Sequence, residues 1–364
     1  MNKNIIALVI LAVVVFIIAY VQITKPKFAT LNSGNSQSIA KTASGNNHAM
    51  SIEEKAKRYS PAVEIIPGGQ FINADPFTLK SLIGKKVILV DFWTYTCINC
   101  QRTLPYLNEW YKKYKDQGLV IIGMHTPEFE FEKDYSNVKK AVAKAGILYP
   151  VVQDNNYATW SAYQNRYWPH EYLIDIDGFI VHDKIGEGDY DESEKAIQKA
   201  LQERALVLGV AESIDTNITN PSDTVLMDSS KVQSPETYFG WERNEYLGNG
   251  QKSVSGDQTL VIPGNTLSNK LYLGGVWNFQ KEFAENKSSS AKIKFLYNTK
   301  NVYMVASSDN GATIKIFKDG VLVKTMTIKD YALYNIIEGI DYGRHTLDIE
   351  IENPGLKAFT FTFG

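Results

Sequence analysis

Lys86-Val87-Ile88-Leu89-Val90-Asp91-Phe92-Trp93-Thr94-Tyr95-Thr96-Cys97-Ile98-Asn99-Cys100-Gln101-Arg102-Thr103-Leu104-Pro105 is the stretch from which the rest of the chain is read. Lys86 to Phe92 is an apolar, β-branched run with the length of a buried strand. It breaks at Trp93 to Thr96. From Gln101 to Tyr111 the sequence reads as a helix: Leu104, Leu107, Trp110 and Tyr111 recur at spacings of three and four and give one apolar face. The two cysteines therefore stand where a strand ends and a helix begins. A thiolate in that position faces unpaired backbone N–H groups and the positive end of the helix dipole, which favours the anion. The thiolate is the nucleophile of disulfide exchange. Cys97, nearer the helix start, is the expected attacking thiol, and Cys100, one turn in, the expected resolving thiol. Pro105 is expected to kink the helix by removing one ladder bond.

The chain has 364 residues, room for two domains plus extras. A formal net charge of −2 gives no reason to expect nucleic acid or another polyanion as partner. Its 2 cysteines are Cys97 and Cys100, so there is no structural disulfide framework. A zinc site needs four ligands, and the other candidates are 5 scattered histidines. The CxxC spacing at a strand–helix junction favours a redox dithiol, which needs no cofactor; a structural disulfide is the alternative. Residues 5–21 (IIALVILAVVVFIIAYV) are an uninterrupted apolar run at the short end of a membrane span, with no A-x-A-like cleavage site close behind. The expectation is an uncleaved anchor over residues 1–23 with the large part of the chain extracytoplasmic; a cleaved signal is the alternative. Lys3 on one side and Lys25 and Lys27 on the other decide little about orientation. Residues 24–57, rich in Ser, Asn, Ala, Thr, Gly and Lys, read as a flexible tether, and His48 within them as solvated.

From about Ser60 the pattern becomes globular. Pro67-Gly68-Gly69, between Glu64-Ile65-Ile66 and Gln70-Phe71-Ile72-Asn73, reads as a hairpin turn. Leu119 to His125 is a second buried strand, Val138 to Ala145 a helix, Tyr149 to Asp154 a strand and Tyr157 to Tyr163 a short helix. Asp177-Gly178 joins two further strands. Tyr190 to Leu206 is an amphipathic helix with acidic residues at its start. The order β-α-β-α-β-β-α, with CxxC at the first strand–helix junction and a proline before the late hairpin, is the thioredoxin arrangement. Residues 58–206 resemble the TlpA/ResA-like thioredoxins, and within them the soluble part of DipZ-type proteins. The blocks that carry the resemblance are DFWTYTCINCQRTLPYLNEWY (91–111), GMHTPEFEFEKD (123–134), YPVVQDNNYATW (149–160), NRYWPHEYLIDIDG (165–178) and GEGDYDESEKAI (186–197).

Residues 207–233 lose clear period and read as a linker. Over residues 234–364, alternating strands at 291–297, 302–306, 313–317, 321–328 and 346–351 come with almost no helix signal. Lys318-Asp319-Gly320-Val321 reads as a hairpin turn. The pattern predicts an all-β sandwich. SPETYFG (234–240), Gly275-Val276-Trp277 and the Tyr342 to Leu347 corner resemble the C-terminal domain of DipZ-type proteins. That resemblance implies a jelly-roll fold like carbohydrate-binding modules.

Asp91 is a carboxylate inside a buried strand, which is costly unless it has work or partners. The resemblance implies a buried proton acceptor for Cys100; a satisfied buried carboxylate is the alternative. It also implies that Pro169 is cis beside the disulfide, turning the preceding backbone toward a bound substrate strand, with Trp168 at the mouth of the site. Trp93 matches the family tryptophan that flanks the disulfide. His170 departs from the alanine expected there and is a candidate for tuning the thiolate, or else a solvent-facing substitution. Trp93, Trp168 and His170 are thus the expected substrate-side residues, while Tyr95 reads as packing. Glu128 and Glu130 in TPEFEFE are candidates for redox tuning or docking, against a solvated loop. Tyr238, Trp241, Trp277, Tyr303 and Tyr342 are candidates for stacking on sugars, against core packing. Glycan as a partner of the sandwich is fold analogy.

The expected function is a membrane-tethered, extracytoplasmic thiol-disulfide oxidoreductase. The resemblance implies the reducing direction, protein disulfides as substrates, and electrons from a CcdA-like membrane partner that DipZ-type chains normally carry themselves. One alternative is a cell-surface binding protein whose sandwich holds glycan or protein. The other is a thiol peroxidase: Thr94 stands three residues before Cys97, as in peroxiredoxins, but the proline they carry four residues before that threonine is Val90 here.

Overall fold

The structure, a computed structural model, describes residues 50–364 apart from 212, 223, 225 and 226. The expected anchor (1–23), His48 and most of the expected tether lie outside the described residues. Among the described residues no helix is long and apolar enough to cross a membrane.

Helix α1 (Ile52–Arg58) occupies the end of the stretch expected as tether and runs one residue beyond it. Ser51 caps it: the hydroxyl accepts from Glu54 N–H, and the Glu54 carboxylate accepts the Ser51 N–H, closing a capping box. Lys55 is 2 % exposed, with Nζ 2.7 Å from Asp175, 2.6 Å from Asp177 and 2.8 Å from Glu203. Its polar composition hid this helix because what it buries is a charge rather than an apolar face.

There follow β1 (Phe71–Ile72), α2 (Leu79–Leu82), β2 (Val87–Trp93), α3 (Ile98–Tyr114), β3 (Leu119–His125), α4 (Tyr135–Lys144), β4 (Val151–Gln153), α5 (Ala158–Ala162), β5 (His170–Ile174), β6 (Ile180–Ile185) and α6 (Tyr190–Leu208). The strands form one sheet in the order β1-β4-β3-β2-β5-β6, with β2, β3 and β4 parallel and the other pairs antiparallel. This is the thioredoxin-like arrangement. β2 is buried at every position, which explains its lack of polar alternation. Val87, Leu89 and Trp93 pack with Leu104 and Leu107 of α3 and Leu201 of α6. Ile88, Val90 and Phe92 face the other way, toward Leu79 and Tyr172. The hairpin expected at Pro67-Gly68-Gly69 does not form. Gly68 N–H donates to Gln153 O at 2.8 Å, and β1 pairs with β4. A Cβ on Gly68 would lie 2.6 Å from Asn155 N, so glycine serves close backbone approach there, not a turn.

The stretch read as a linker is pinned to the first domain through Glu194 of α6. Its carboxylate accepts from Thr219 N–H at 2.6 Å, Thr219 Oγ1 at 2.7 Å and Tyr114 OH at 2.7 Å.

The second domain is all-β: β7 (Thr237–Tyr238), β8 (Gly256–Leu260), β9 (Leu271–Phe279), β10 (Ala284–Asn286), β11 (Ala291–Thr299), β12 (Val302–Ser307), β13 (Ala312–Lys318), β14 (Val321–Ile328), β15 (Ala332–Ile337), β16 (Gly343–Ile351) and β17 (Lys357–Phe363). The main path is β14-β13-β16-β11-β9-β10-β17-β12-β15, with β7 on β17 and β8 on β9. Residues 271–274 of β9 pair with β11, and residues 275–279 pair with β8 and β10. Gly275, at φ +97°, marks the change of partner. Where the patterning predicts two separate sheets, β9 serves both halves, and the strands curl nearly into a barrel around Trp277, Phe295, Ile349 and Phe361.

The two domains meet over an aromatic cluster. Phe129 and Phe131 of the TPEFEFE block pack on Phe359, at ring-centroid distances of 5.3 and 4.8 Å, and Phe131 also stacks on Tyr331 at 4.7 Å.

Candidate active site

Cys97 is the N-cap of α3, and the Cys100 N–H donates to its Sγ at 3.2 Å. The strand-to-helix junction thus puts one sulfur at the positive end of a helix. Both thiols are free; Cys97 is half-buried and Cys100 only 1 % exposed. Burial, with Cys97 and Asp91 beside it, pushes the Cys100 thiol well up, so its attack requires a base. Asp91 on β2 is 1 % exposed. Burial first, then the charge of Glu171, pushes its carboxyl well above the usual range. A carboxylate of raised proton affinity beside a thiol that must lose a proton is a matched acceptor.

The Trp168–Pro169 peptide is cis, and Cys97 Sγ lies 3.9 Å from Trp168 O. The Trp168 ring packs on Trp160 at 4.3 Å and donates its N–H to Thr126 O at 3.1 Å. Cys97 opens into a cleft of 280 Å³ walled by Trp168 and Glu128 on one side and by Glu236, Tyr238 and Arg243 of the second domain on the other. Tyr238 OH and Arg243 Nη1 both donate to Glu128 Oε1, at 2.9 and 2.7 Å, and the guanidinium sits 3.7 Å over the Tyr238 ring. Glu128 therefore joins the domains at the lip of the cleft. Glu130 is exposed, paired with Lys133 at 2.6 Å, and its N–H donates to Glu282 of the second domain at 2.9 Å.

Sequence reasoning passed over the third glutamate of that block. Glu132 is fully buried. Its carboxylate accepts from Thr96 Oγ1 at 2.5 Å, Glu128 N–H at 2.6 Å and Phe129 N–H at 3.0 Å, and burial pushes its pKa up to about 7. It fixes the residue next to Cys97. Glu171 was also passed over. It lies opposite Asp91 in the β2–β5 register, is 3 % exposed, and burial pushes it up to about 7. In both cases the signal was an acidic residue in a stretch otherwise buried.

Two of the expected substrate-side residues do not line the Cys97 cleft. Trp93 is fully buried, edge-on to His125 at 5.2 Å, and packs in the cluster that holds Cys100. Strand alternation sends His170 to the sheet face away from the cysteines. There Nδ1 lies 2.5 Å from Asn165 Oδ1 and 3.0 Å from Tyr172 OH, and Nε2 lies 3.4 Å from Asp183. Tyr95 packs against His125. Thr94 Oγ1 lies 3.5 Å from His125 Nε2 and also faces the Glu132 carboxyl. The aromatic candidates for sugar stacking are engaged otherwise. Trp277 and Tyr303 are buried, Trp241 packs on the core, Tyr238 holds Glu128, and Tyr342 OH accepts the Asp228 N–H. Asp175, Asp177 and Glu203 have the spacing of a metal site, and the Lys55 ammonium fills it.

Residues 67–183 match the AhpC/TSA family, and residues 234–364 match the thioredoxin-like C-terminal domain family. The chain is similar to the protein DipZ of Mycobacterium tuberculosis, 38% identical over 291 residues, which are 79% of this chain and 40% of DipZ. It thus spans about two fifths of that relative's length. It is similar to the thiol-disulfide oxidoreductase YkuV of Bacillus subtilis, 31% identical over 147 residues, 40% of this chain and 98% of YkuV. It is also similar to the thiol-disulfide oxidoreductase ResA of Bacillus cereus, 36% identical over 121 residues, 33% of this chain and 66% of ResA.

Proposed function

The chain belongs to the TlpA/ResA/DipZ-like family of thioredoxin-like proteins, and from that premise we propose that it reduces protein disulfides through Cys97 and Cys100. The Cys97 thiolate attacks one sulfur of a substrate disulfide. A bond forms between Cys97 Sγ and that sulfur, and the other substrate sulfur leaves as a thiolate. Cys100 then gives its proton to Asp91 and attacks Cys97 Sγ. The mixed disulfide breaks, the second substrate sulfur leaves, and Cys97–Cys100 closes. Two electrons have passed from the dithiol to the substrate. The single observation that carries this reading is the Cys97 sulfur at the N-cap of α3, with the Cys100 N–H on it and its face open to the cleft.

The cleft has a second-domain wall close to Cys97, so the reading favours an extended segment bearing the disulfide over a folded surface. The apolar run at residues 5–21 supports anchoring of the full chain at a membrane with the site extracytoplasmic. The likeness to DipZ supports a CcdA-like membrane donor that resets the disulfide. The jelly-roll, carbohydrate-module likeness of the second domain belongs to the same proposal, and its role there is to wall the cleft. A peroxidase reading is the weaker one: the CxxC pair fits disulfide exchange better, and Val90 stands where peroxiredoxins carry a proline.

The test is reduction of a peptide disulfide by the full chain. Cys97→Ser abolishes turnover, and Cys100→Ser accumulates a mixed disulfide on Cys97 visible by mass spectrometry. Turnover surviving in Cys97→Ser would overturn the reading.

A further inference from the structure

Asp91 is the first member of a charged rung that crosses three strands. It stands directly opposite Glu171 on β5, and Glu171 stands directly opposite Lys184 on β6. Side chains opposed in this way share one sheet face, with Cβ atoms about 5 Å apart. That face is the one under α3 and α6. Leu89 and Trp93 share Asp91's parity and Leu173 shares that of Glu171, and all three pack with Cys100. Asp91 is 1 % and Glu171 3 % exposed, and Asp91 Oδ1 and Glu171 Oε2 have no hydrogen-bond partner among the described residues. Two buried carboxyl groups at such a spacing cannot both ionise cheaply, and a charge on Glu171 raises the proton affinity of Asp91. Beyond Glu171 lies a route outward. Ser193 of α6 faces the Glu171 carboxyl, and Ser193 Oγ lies 3.3 Å from Nε2 of the half-buried His182. At the edge of the sheet Lys184 pairs with Asp189 at 2.5 Å.

We propose that Glu171 is a positioning residue for the exchange chemistry: it shares a proton with Asp91, sets the strength with which Asp91 takes the proton of Cys100, and hands a proton on through Ser193 to His182. This rests on the oxidoreductase reading above. In the mixed-disulfide state the pair carries one proton and one negative charge. The Cys100 S–H gives its proton to the pair as its sulfur bonds to Cys97 Sγ, and the substrate leaves as a thiolate. The pair, now with two protons, releases one through the Ser193 hydroxyl to His182 and water, where it neutralises the departed thiolate. The electrons move only between sulfurs. The groups facing Glu171 are Asp91 from β2, Lys184 from β6, Ser193 and Tyr190 from α6, and Tyr149 from the segment before β4; Cys100 from α3 faces Asp91.

The test is stopped-flow reaction of the reduced full chain with dithionitrobenzoate across pH. The first thionitrobenzoate released reports attack by Cys97. The second, in a phase independent of reagent concentration, reports closure by Cys100. Glu171→Gln is expected to leave the first phase unchanged. In the second phase it is expected to lower the pH midpoint by roughly one unit or more and to cut the plateau rate several-fold, because Asp91 becomes a weaker base. Ser193→Ala lowers the plateau and moves the midpoint upward, because the Glu171 carboxyl loses a donor. Lys184→Met removes the ammonium from the same rung and moves the midpoint upward, a shift opposite to that of Glu171→Gln, which mere loss of packing does not produce. Unmoved midpoints in folded Glu171→Gln and Lys184→Met proteins overturn the proposal. A wild-type chain that releases one equivalent or none overturns the oxidoreductase reading instead, so the two failures are distinct.

Discussion

Replacing Glu132 by Gln is expected to flatten the pH dependence of stability, and the size of the effect follows from the burial of one carboxyl. Glu132 is fully buried beneath Thr96, and burial, which disfavours the anion, raises its pKa from 4.5 to about 7. In the unfolded chain it ionises near 4.5. Between those values the folded protein holds a proton that the unfolded chain has released. Stability therefore falls as pH rises from about 4.5, and the loss is complete above about pH 7. At about 1.36 kcal/mol per pH unit the whole loss is about 3 kcal/mol, of which about 2.5 kcal/mol falls between pH 5 and pH 8. Gln keeps an acceptor oxygen for Thr96 or a backbone N–H and does not titrate. Guanidinium unfolding followed by tryptophan fluorescence at both pH values should show wild type losing about 2.5 kcal/mol more than the variant. Glu171, also held at about 7, acts in both proteins and cancels. Parallel pH curves for the two proteins would refute the argument that Glu132 is held neutral in the fold.

Other outcomes follow from the same geometry. Lys55→Met leaves Asp175, Asp177 and Glu203 facing one another without their ammonium; a loss of about 3–5 kcal/mol in thermal or denaturant unfolding is expected, and wild-type stability would show that α1 is dispensable. Phe129→Ala empties a 1 %-exposed site in the aromatic contact between the domains. It should cost about 3–5 kcal/mol and speed limited proteolysis within residues 207–233, whereas an unchanged cleavage rate would argue against a fixed interface. Arg243→Ala removes a donor that holds Glu128 at the lip of the cleft. It should raise KM for an extended peptide disulfide several-fold with kcat little changed, and an unchanged KM would mean the second domain does not contact substrate.

The centre of the site was legible because it is local. A strand, a CxxC and an amphipathic helix follow one another within about twenty residues, and each carries its own period. The partners of that centre were hidden because they are set by register and by domain contact. Glu171 is eighty positions from Asp91 in the chain, and only the antiparallel pairing of β5 with β2 brings the two carboxyls together. In TPEFEFE the alternation suggested exposed glutamates, but Phe129 and Phe131 turn into the second domain, Glu128 bridges to it and Glu132 turns inward. His170 was aligned with the site by its neighbour Pro169, yet one step along a strand reverses the face a side chain occupies. In the second domain the alternating strands β11, β13 and β16 were plain. The dual role of β9 was not, because a change of sheet partner at Gly275 leaves no period of its own.

Cys97 and Cys100 are proposed to cycle as a reducing dithiol. The measurement that bears on it most directly is the reduction potential of the pair, from equilibration of the full chain against glutathione and dithiothreitol buffers. The expected value is near or below roughly −250 mV, close to thioredoxin's. A value near roughly −120 mV, like DsbA's, would contradict the reducing direction, and a disulfide that resists reduction while the protein stays folded would contradict the exchange chemistry itself.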